Sequence, residues 1–126
     1  MAETPGSAAA TRLLHSYWDA EQRRDPAAVV AHFTPDGAFV DRLGRVIGGH
    51  EALLAFYEAS ASAFPRARVD PVLIVAEGDH AAAQYEAHLW DADGVERTAR
   101  VAVFAEIHDG RFRRLQSFFD PAQLDA

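Results

Sequence analysis

The sequence predicts one α+β domain in which three helices cover one face of a mainly antiparallel sheet. Three observations carry that prediction. Apolar residues recur at helical spacing over residues 8–24 and 50–64. The second half alternates with a period of two, in runs separated by turns that contain glycine. Finally, the segment from His80 to Ile107 reads AAAQYEAHLW, DADG, VERTARVAVFAEI, two strands joined by a Gly-ending turn that form the floor of the domain.

Taken in order, residues 8–24 place Leu13, Leu14, Tyr17 and Trp18 on one side of a helix and Arg12, Ser16, Asp19 and Arg23 on the other. Residues 1–7 are expected to be a loose tail of a single domain spanning 1–126. Asp25 before Pro26 is an N-cap with proline at the first helical position, so a short second helix carries Val29, Val30 and Phe33. Thr34-Pro35-Asp36-Gly37 is expected to end it as a turn. Two short strands follow, Ala38 to Val40 and Arg45 to Ile47, around a tight loop at Asp41-Arg42-Leu43-Gly44. Leu53, Phe56, Tyr57 and Phe64 then mark a third helix that Pro65 stops. Strands are expected over Val69 to Glu77, in both arms of the hairpin, and from Arg111 to Phe119 after the turn at His108-Asp109-Gly110.

Two registers are open for the hairpin. A four-residue loop, Asp91 to Gly94, sets Trp90 opposite Val95 and puts Gln84, Glu86 and His88 on the apolar face, as lining of a pocket. A three-residue loop with Gly94 in the left-handed region slips the register by one, and Glu86 and His88 then join Thr98, Arg100 and Glu106 on a wet face.

Composition narrows the function classes. The chain has 126 residues, 49% of them hydrophobic, enough for one real core. A net charge of −7, with 12 basic residues scattered among 19 acidic ones, argues against a nucleic-acid or anionic membrane surface. Without cysteine there is no disulfide framework, thiolate nucleophile or cysteine zinc site. No segment resembles a signal peptide or a membrane span, so the expectation is a soluble cytoplasmic protein. His15, His32, His50, His80 and His108 form no ligand set with carboxylates at metal spacing, and no glycine-rich phosphate loop is present. No metal or cofactor is therefore expected.

The stretches YWDAEQRRDPAAVVAHFTPDGAFVD, GGHEALLAFY and VAVFAEIHDGRFRRLQSFFD resemble the nuclear transport factor 2-like superfamily, within it the SnoaL-like and ketosteroid isomerase group. The resemblance implies a cone-shaped α+β barrel, usually dimeric, and a function among isomerases, cyclases, epoxide hydrolases, dehydratases and members with no chemistry. Tyr17 and Asp41 match the isomerase tyrosine and aspartate base; Val103 stands where the isomerase has a protonated aspartic acid, so its full oxyanion hole is missing. Glu86, His88 and Ser117 occupy the positions of the arginine and two aspartates of limonene-type epoxide hydrolases. In both enzyme groups the corresponding face of the first arm lines the pocket, and the resemblance thus favours the four-residue loop.

The expected function is a cofactor-independent enzyme that moves a proton next to a carbonyl of an apolar, oxygen-bearing substrate, as in isomerisation or polyketide-type cyclisation. Asp41 or His88 would be the base, Tyr17 the hydrogen-bond donor and Glu86 the partner that orients His88. Each has a structural reading as well. Asp41 could cap its loop or pair with Arg42, Tyr17 could be core, and Glu86 or His88 could pair with Arg97 at the rim. Tyr57, Trp90, Val101, Leu115 and Phe119 would form the pocket wall, with Arg97, Val103 and Ser117 also reaching the substrate. Tyr85, Leu89, Phe104 and Phe118 would form a second apolar face for a homodimer. The alternatives are a non-catalytic ligand-binding or dimerisation module and, third, an epoxide hydrolase or dehydratase.

Overall fold

The computed structural model describes residues 5–124. Of the expected tail, residues 1–4 lie outside them and Pro5 already opens the first helix. Helix α1 (Pro5–Gln22) buries Ala10, Leu14, Tyr17, Trp18 and Ala20, the stripe that helical spacing predicts. The turn that follows it holds Arg24, whose positive φ of 52° is unusual for a residue with a side chain. The Arg24 guanidinium holds that conformation by donating to the carbonyls of Phe64 at 3.0 Å and Glu21 at 3.1 Å. Helix α2 (Pro26–Val30) starts at Asp25, whose side chain accepts from the Ala28 amide at 3.1 Å.

Strand β1 (Phe33–Val40) takes in the residues expected to be a turn. Its pairing shifts between Phe33 and Ala38, so the Thr34–Gly37 segment is an irregularity within a strand rather than a break between elements. Phe33 pairs with Phe112 and is fully buried at the start of β1, so it belongs to the sheet, not to α2. Gly37 passes so close to the neighbouring strand that a Cβ there would lie 2.8 Å from the Phe112 carbonyl oxygen. After β2 (Val46–Gly48), helix α3 (His50–Ala63) buries Leu53 and Tyr57 and stops before Pro65.

The remaining strands are β3 (Arg66–Glu77), β4 (His80–Trp90), β5 (Glu96–His108) and β6 (Arg111–Phe119), followed by a 3-10 turn at Pro121–Gln123. They form an antiparallel meander, and β1 joins β6 in parallel, giving a six-stranded sheet of order β2-β1-β6-β5-β4-β3. The helices pack on the inner side of this open, curved α+β cone. Leu14, Phe33, Leu53, Phe112 and Leu115 are at most 1% exposed and form its core; burying each is worth about 1.5–3 kcal/mol. Among the described residues no helix is long and apolar enough to cross a membrane.

The hairpin takes the three-residue register. Trp90 pairs with Glu96, His88 with Thr98 and Glu86 with Arg100, while Asp91 and Val95 close the loop through a 3.1 Å backbone bond. Two local features select it. Gly94 has φ of 79°, and the Asp91 carboxylate accepts from the amides of Asp93 at 2.9 Å and Val95 at 3.0 Å, capping a turn of Ala92, Asp93 and Gly94. The four-residue register favoured by the resemblance is thereby overturned, and with it every assignment of face along β4.

Candidate functional site

Between α1, α3 and the inner face of the sheet lies an open pocket of about 210 Å³. Its wall is largely apolar, with Phe39, Phe56, Val101 and Phe119 among the lining residues. Polar groups are few and converge. Tyr17 from α1, Tyr57 from α3 and Tyr85 from β4 all reach it, and the Tyr17 and Tyr57 hydroxyls are 2.6 Å apart. The two rings are edge-on to each other, and Tyr17 is edge-on and Tyr57 tilted against Phe33, a packing that fixes both hydroxyls.

Glu21 is the one carboxylate that lines the pocket among the described residues. It lies one helical turn beyond Tyr17, so both project from the same face of α1. Burial pushes its carboxyl above the usual glutamate value, and the Arg24 guanidinium, 3.6 Å away, partly offsets that push. The side chain still keeps 23% of its surface accessible, so a bound group can reach a carboxyl whose ionised form the surroundings weaken. Burial likewise raises Tyr17, Tyr57 and Tyr85, and the nearby Glu21 charge adds to each rise. All three hydroxyls are thus neutral hydrogen-bond donors at physiological pH.

Of the residues predicted from sequence, Tyr17, Tyr57, Val101, Ser117 and Phe119 line this pocket. Val103 and Leu115 are buried core residues that do not line it. Arg97 is on the inner side beside Leu89 but closes the hairpin end, 3.1 Å from Asp91, and does not reach the lining.

Asp41 is outside the pocket. One of its oxygens accepts from the Leu43 and Arg45 amides, both at 2.9 Å, and the other meets the Arg45 guanidinium at 2.7 Å. Desolvation, the largest single contribution, raises its carboxyl, but the hydrogen bonds from Arg45 and Leu43 and the Arg45 charge together outweigh it and hold the group below the usual range, the reverse of what a base near neutral pH needs. It is the loop cap of the structural reading, with Arg45 rather than Arg42 as partner.

Glu86, His88 and Trp90 lie on the outer face, across the sheet from the pocket. There His88 Nε2 is 2.9 Å from Asp70 and 3.7 Å from Glu86, and its Nδ1 is 2.9 Å from Glu96. Trp90 stacks on the His88 ring and carries the Arg66 guanidinium 4.3 Å above its own. The expected pairing of either residue with Arg97 does not occur. Nor do the four residues expected to form a dimer face lie together: Tyr85 and Leu89 line the pocket, whereas Phe104 and Phe118 are exposed outside.

The sequence reading missed Glu21 and the inward turn of Tyr85. The first had a signal, its i+4 spacing from Tyr17; the second depended on the register.

The sequence matches the SnoaL-like domain family over residues 14–115. No curated protein matches it. Among solved structures it is similar to a candidate SnoaL-like polyketide cyclase from Jannaschia sp. CCS1, at 17% identity and TM-score 0.86, covering 99% of this chain and 94% of that one. It is similar also to a candidate polyketide cyclase from Xanthomonas campestris pv. campestris, at 22% identity and TM-score 0.84, covering 94% and 96%. A third is an LEH-like epoxide hydrolase from M. tuberculosis, at 19% identity and TM-score 0.82, covering 96% and 90%. At these identities the likeness is one of fold.

Proposed function

The chain belongs to the SnoaL-like domain family, and on that footing we propose that its inner pocket binds an apolar, oxygen-bearing small molecule and moves a proton next to a carbonyl. Glu21 is the proton carrier, replacing the Asp41 and His88 expected from sequence. The observation that supports this most is a single pocket carboxyl, raised by burial, beside a pair of neutral tyrosine hydroxyls.

In the forward step the Glu21 carboxylate removes a proton from the carbon adjacent to the carbonyl. The electron pair moves onto the carbonyl oxygen, where Tyr17 or Tyr57 donates a hydrogen bond as negative charge builds. Return of the proton from Glu21 to a different carbon gives isomerisation. Attack of the enolate carbon on a second carbonyl of the same molecule gives an aldol-type ring closure instead, with the proton delivered to the new alkoxide. The lone pocket carboxylate speaks against epoxide hydrolysis by two acids flanking a water.

A second reading, a binding module without chemistry, draws on the polar groups already paired with one another, Tyr17 with Tyr57 and Glu21 with Arg24. One experiment separates the two. A panel of mono- and polycyclic ketones is incubated with the protein in deuterated water, and deuterium at the α-carbon is followed by mass spectrometry. Exchange that depends on Glu21 supports the enzyme; ligand binding with no exchange above buffer supports the module.

We also propose that two copies meet through the outer face. Leu73, Val75, Phe104 and Phe118 are each more than 40% exposed there, a contiguous set that one domain leaves uncovered. Sedimentation of Phe104→Glu tests this: the variant should be a monomer where the native chain is a dimer, and a native monomer would refute it.

A further inference from the structure

We propose that the outer face of the sheet carries a zinc-class divalent metal site made by His88, Asp70 and Glu86, with Glu96 fixing the imidazole from behind. Asp70 on β3 pairs with Glu86 on β4, and His88 follows two residues further on, so all three side chains leave the sheet on one side. Their donor atoms lie within 4.8 Å of one another. Ligand atoms about 2.0–2.2 Å from a tetrahedral ion stand roughly 3.3–3.6 Å apart. The observed 2.9 Å and 3.7 Å separations from His88 Nε2 need only small side-chain adjustments to match.

The feature that points to an ion rather than to a plain ion pair is on the ring itself. The two carboxylates are about half exposed, but the His88 side chain is only 11% exposed. Its Nε2, aimed into the cluster, is fully buried and makes no hydrogen bond. The Asp70 oxygen at 2.9 Å meets the distance of a hydrogen bond but not its direction. On the other side, Nδ1 does have such a partner in Glu96 Oε1 at 2.9 Å. In the tautomer that donates Nδ1–H to Glu96, with Thr98 Oγ1 3.2 Å from the same nitrogen, Nε2 presents its lone pair to two carboxylates, an arrangement that a bound cation relieves. A carboxylate behind a ligating imidazole is also the usual device for setting the tautomer of a metal-bound histidine. Arg68, 3.1 Å from Asp70, pairs with that carboxylate. An imidazole with two carboxylates suits zinc and its first-row neighbours rather than a soft monovalent ion.

This site is on the opposite face from the pocket and departs from the sequence expectation of no metal; it stands whether or not the pocket is catalytic. The test uses the untagged full chain, freed of metal with a chelator and titrated with Zn²⁺ by calorimetry, and with Co²⁺ by visible absorption. Expected are one ion per chain, a higher melting temperature with Zn²⁺, binding at least about tenfold weaker in Asp70→Asn, and none in His88→Ala. Glu51→Gln, on the exposed start of α3, should bind as the native chain does. Should His88→Ala fail to fold, the half-exposed Asp70→Asn and Glu86→Gln carry the test alone. Absence of stoichiometric binding, or equal binding in Asp70→Asn, overturns the proposal. A His88 ring found doubly protonated at neutral pH with no metal uptake would do so too, leaving an imidazolium clamp between β3, β4 and β5.

Discussion

Strand β4 separates two environments that treat a carboxyl group in opposite ways. On its inner side, Glu21 is pushed up by burial beneath a largely apolar wall. On its outer side, Asp70 is half exposed and held low, chiefly by its hydrogen bond from Arg68. The first arrangement weakens the ionised form and favours a group that holds its proton more tightly than a free glutamate; the second favours an ionised group that can hold a cation. Which β4 residues enter which environment is decided by the alternation of that strand, so a single slip of register would exchange Tyr85, Ala87 and Leu89 with Glu86, His88 and Trp90.

The strongest way to break this contrast is to remove the inner carboxyl. Glu21→Gln should lower α-proton exchange by about 10²–10⁴-fold with ligand binding retained, whereas Asp41→Asn should leave exchange unchanged. A loss in Asp41→Asn equal to that in Glu21→Gln would return the base to the loop. Tyr17→Phe should lower the rate by about 10²-fold, with little change in ligand affinity, if its hydroxyl acts only as the oxyanion forms. Loss of affinity with an unchanged rate would make Tyr17 a plain binding group.

Smaller effects sharpen the comparison through stability. Gly94→Ala should cost about 1 kcal/mol in a urea melt, because alanine is disfavoured at φ of 79°, and should loosen the turn that sets the two faces. The smallest effect is the pH dependence that Glu21 imposes. Its folded-state pKa lies above the unfolded value, so the native state holds the proton more tightly and stability falls as pH rises through that interval. Glu21→Gln should therefore melt higher than the native chain above the folded-state pKa and no higher below the unfolded one. A gain of equal size at both pH values would show that Glu21 is not the titrating group.

Most of the fold was legible because it rests on patterns that need no long-range information. Leu14, Tyr17 and Trp18 announce the buried face of α1, Asp25-Pro26 announces α2, and the glycine-containing turns mark the strands. The misreading of Thr34–Gly37 was different in kind. Proline, aspartate and glycine in a row have the chemistry of a turn, but pairing with β6 and burial of Phe33 and Val40 override local preference. At the site, Tyr17 and Tyr57 could be placed from helical spacing alone. Glu86 and His88 could not, since Asp91-Ala92-Asp93-Gly94 supports loops of three or four residues, and the left-handed Gly94 together with the amides captured by Asp91 decides between them. Glu21 was in reach of the same helical argument that found Tyr17, but a charged residue near the end of an exposed-looking helix has an ordinary surface explanation.

The most direct test of the central claim is the titration of the Glu21 carboxyl itself, followed by carbon-13 NMR in glutamate-labelled protein and assigned by its loss in Glu21→Gln. We expect a midpoint above the ordinary glutamate value that moves when a ketone ligand occupies the pocket. A midpoint at or below that value, indifferent to ligand, would contradict it.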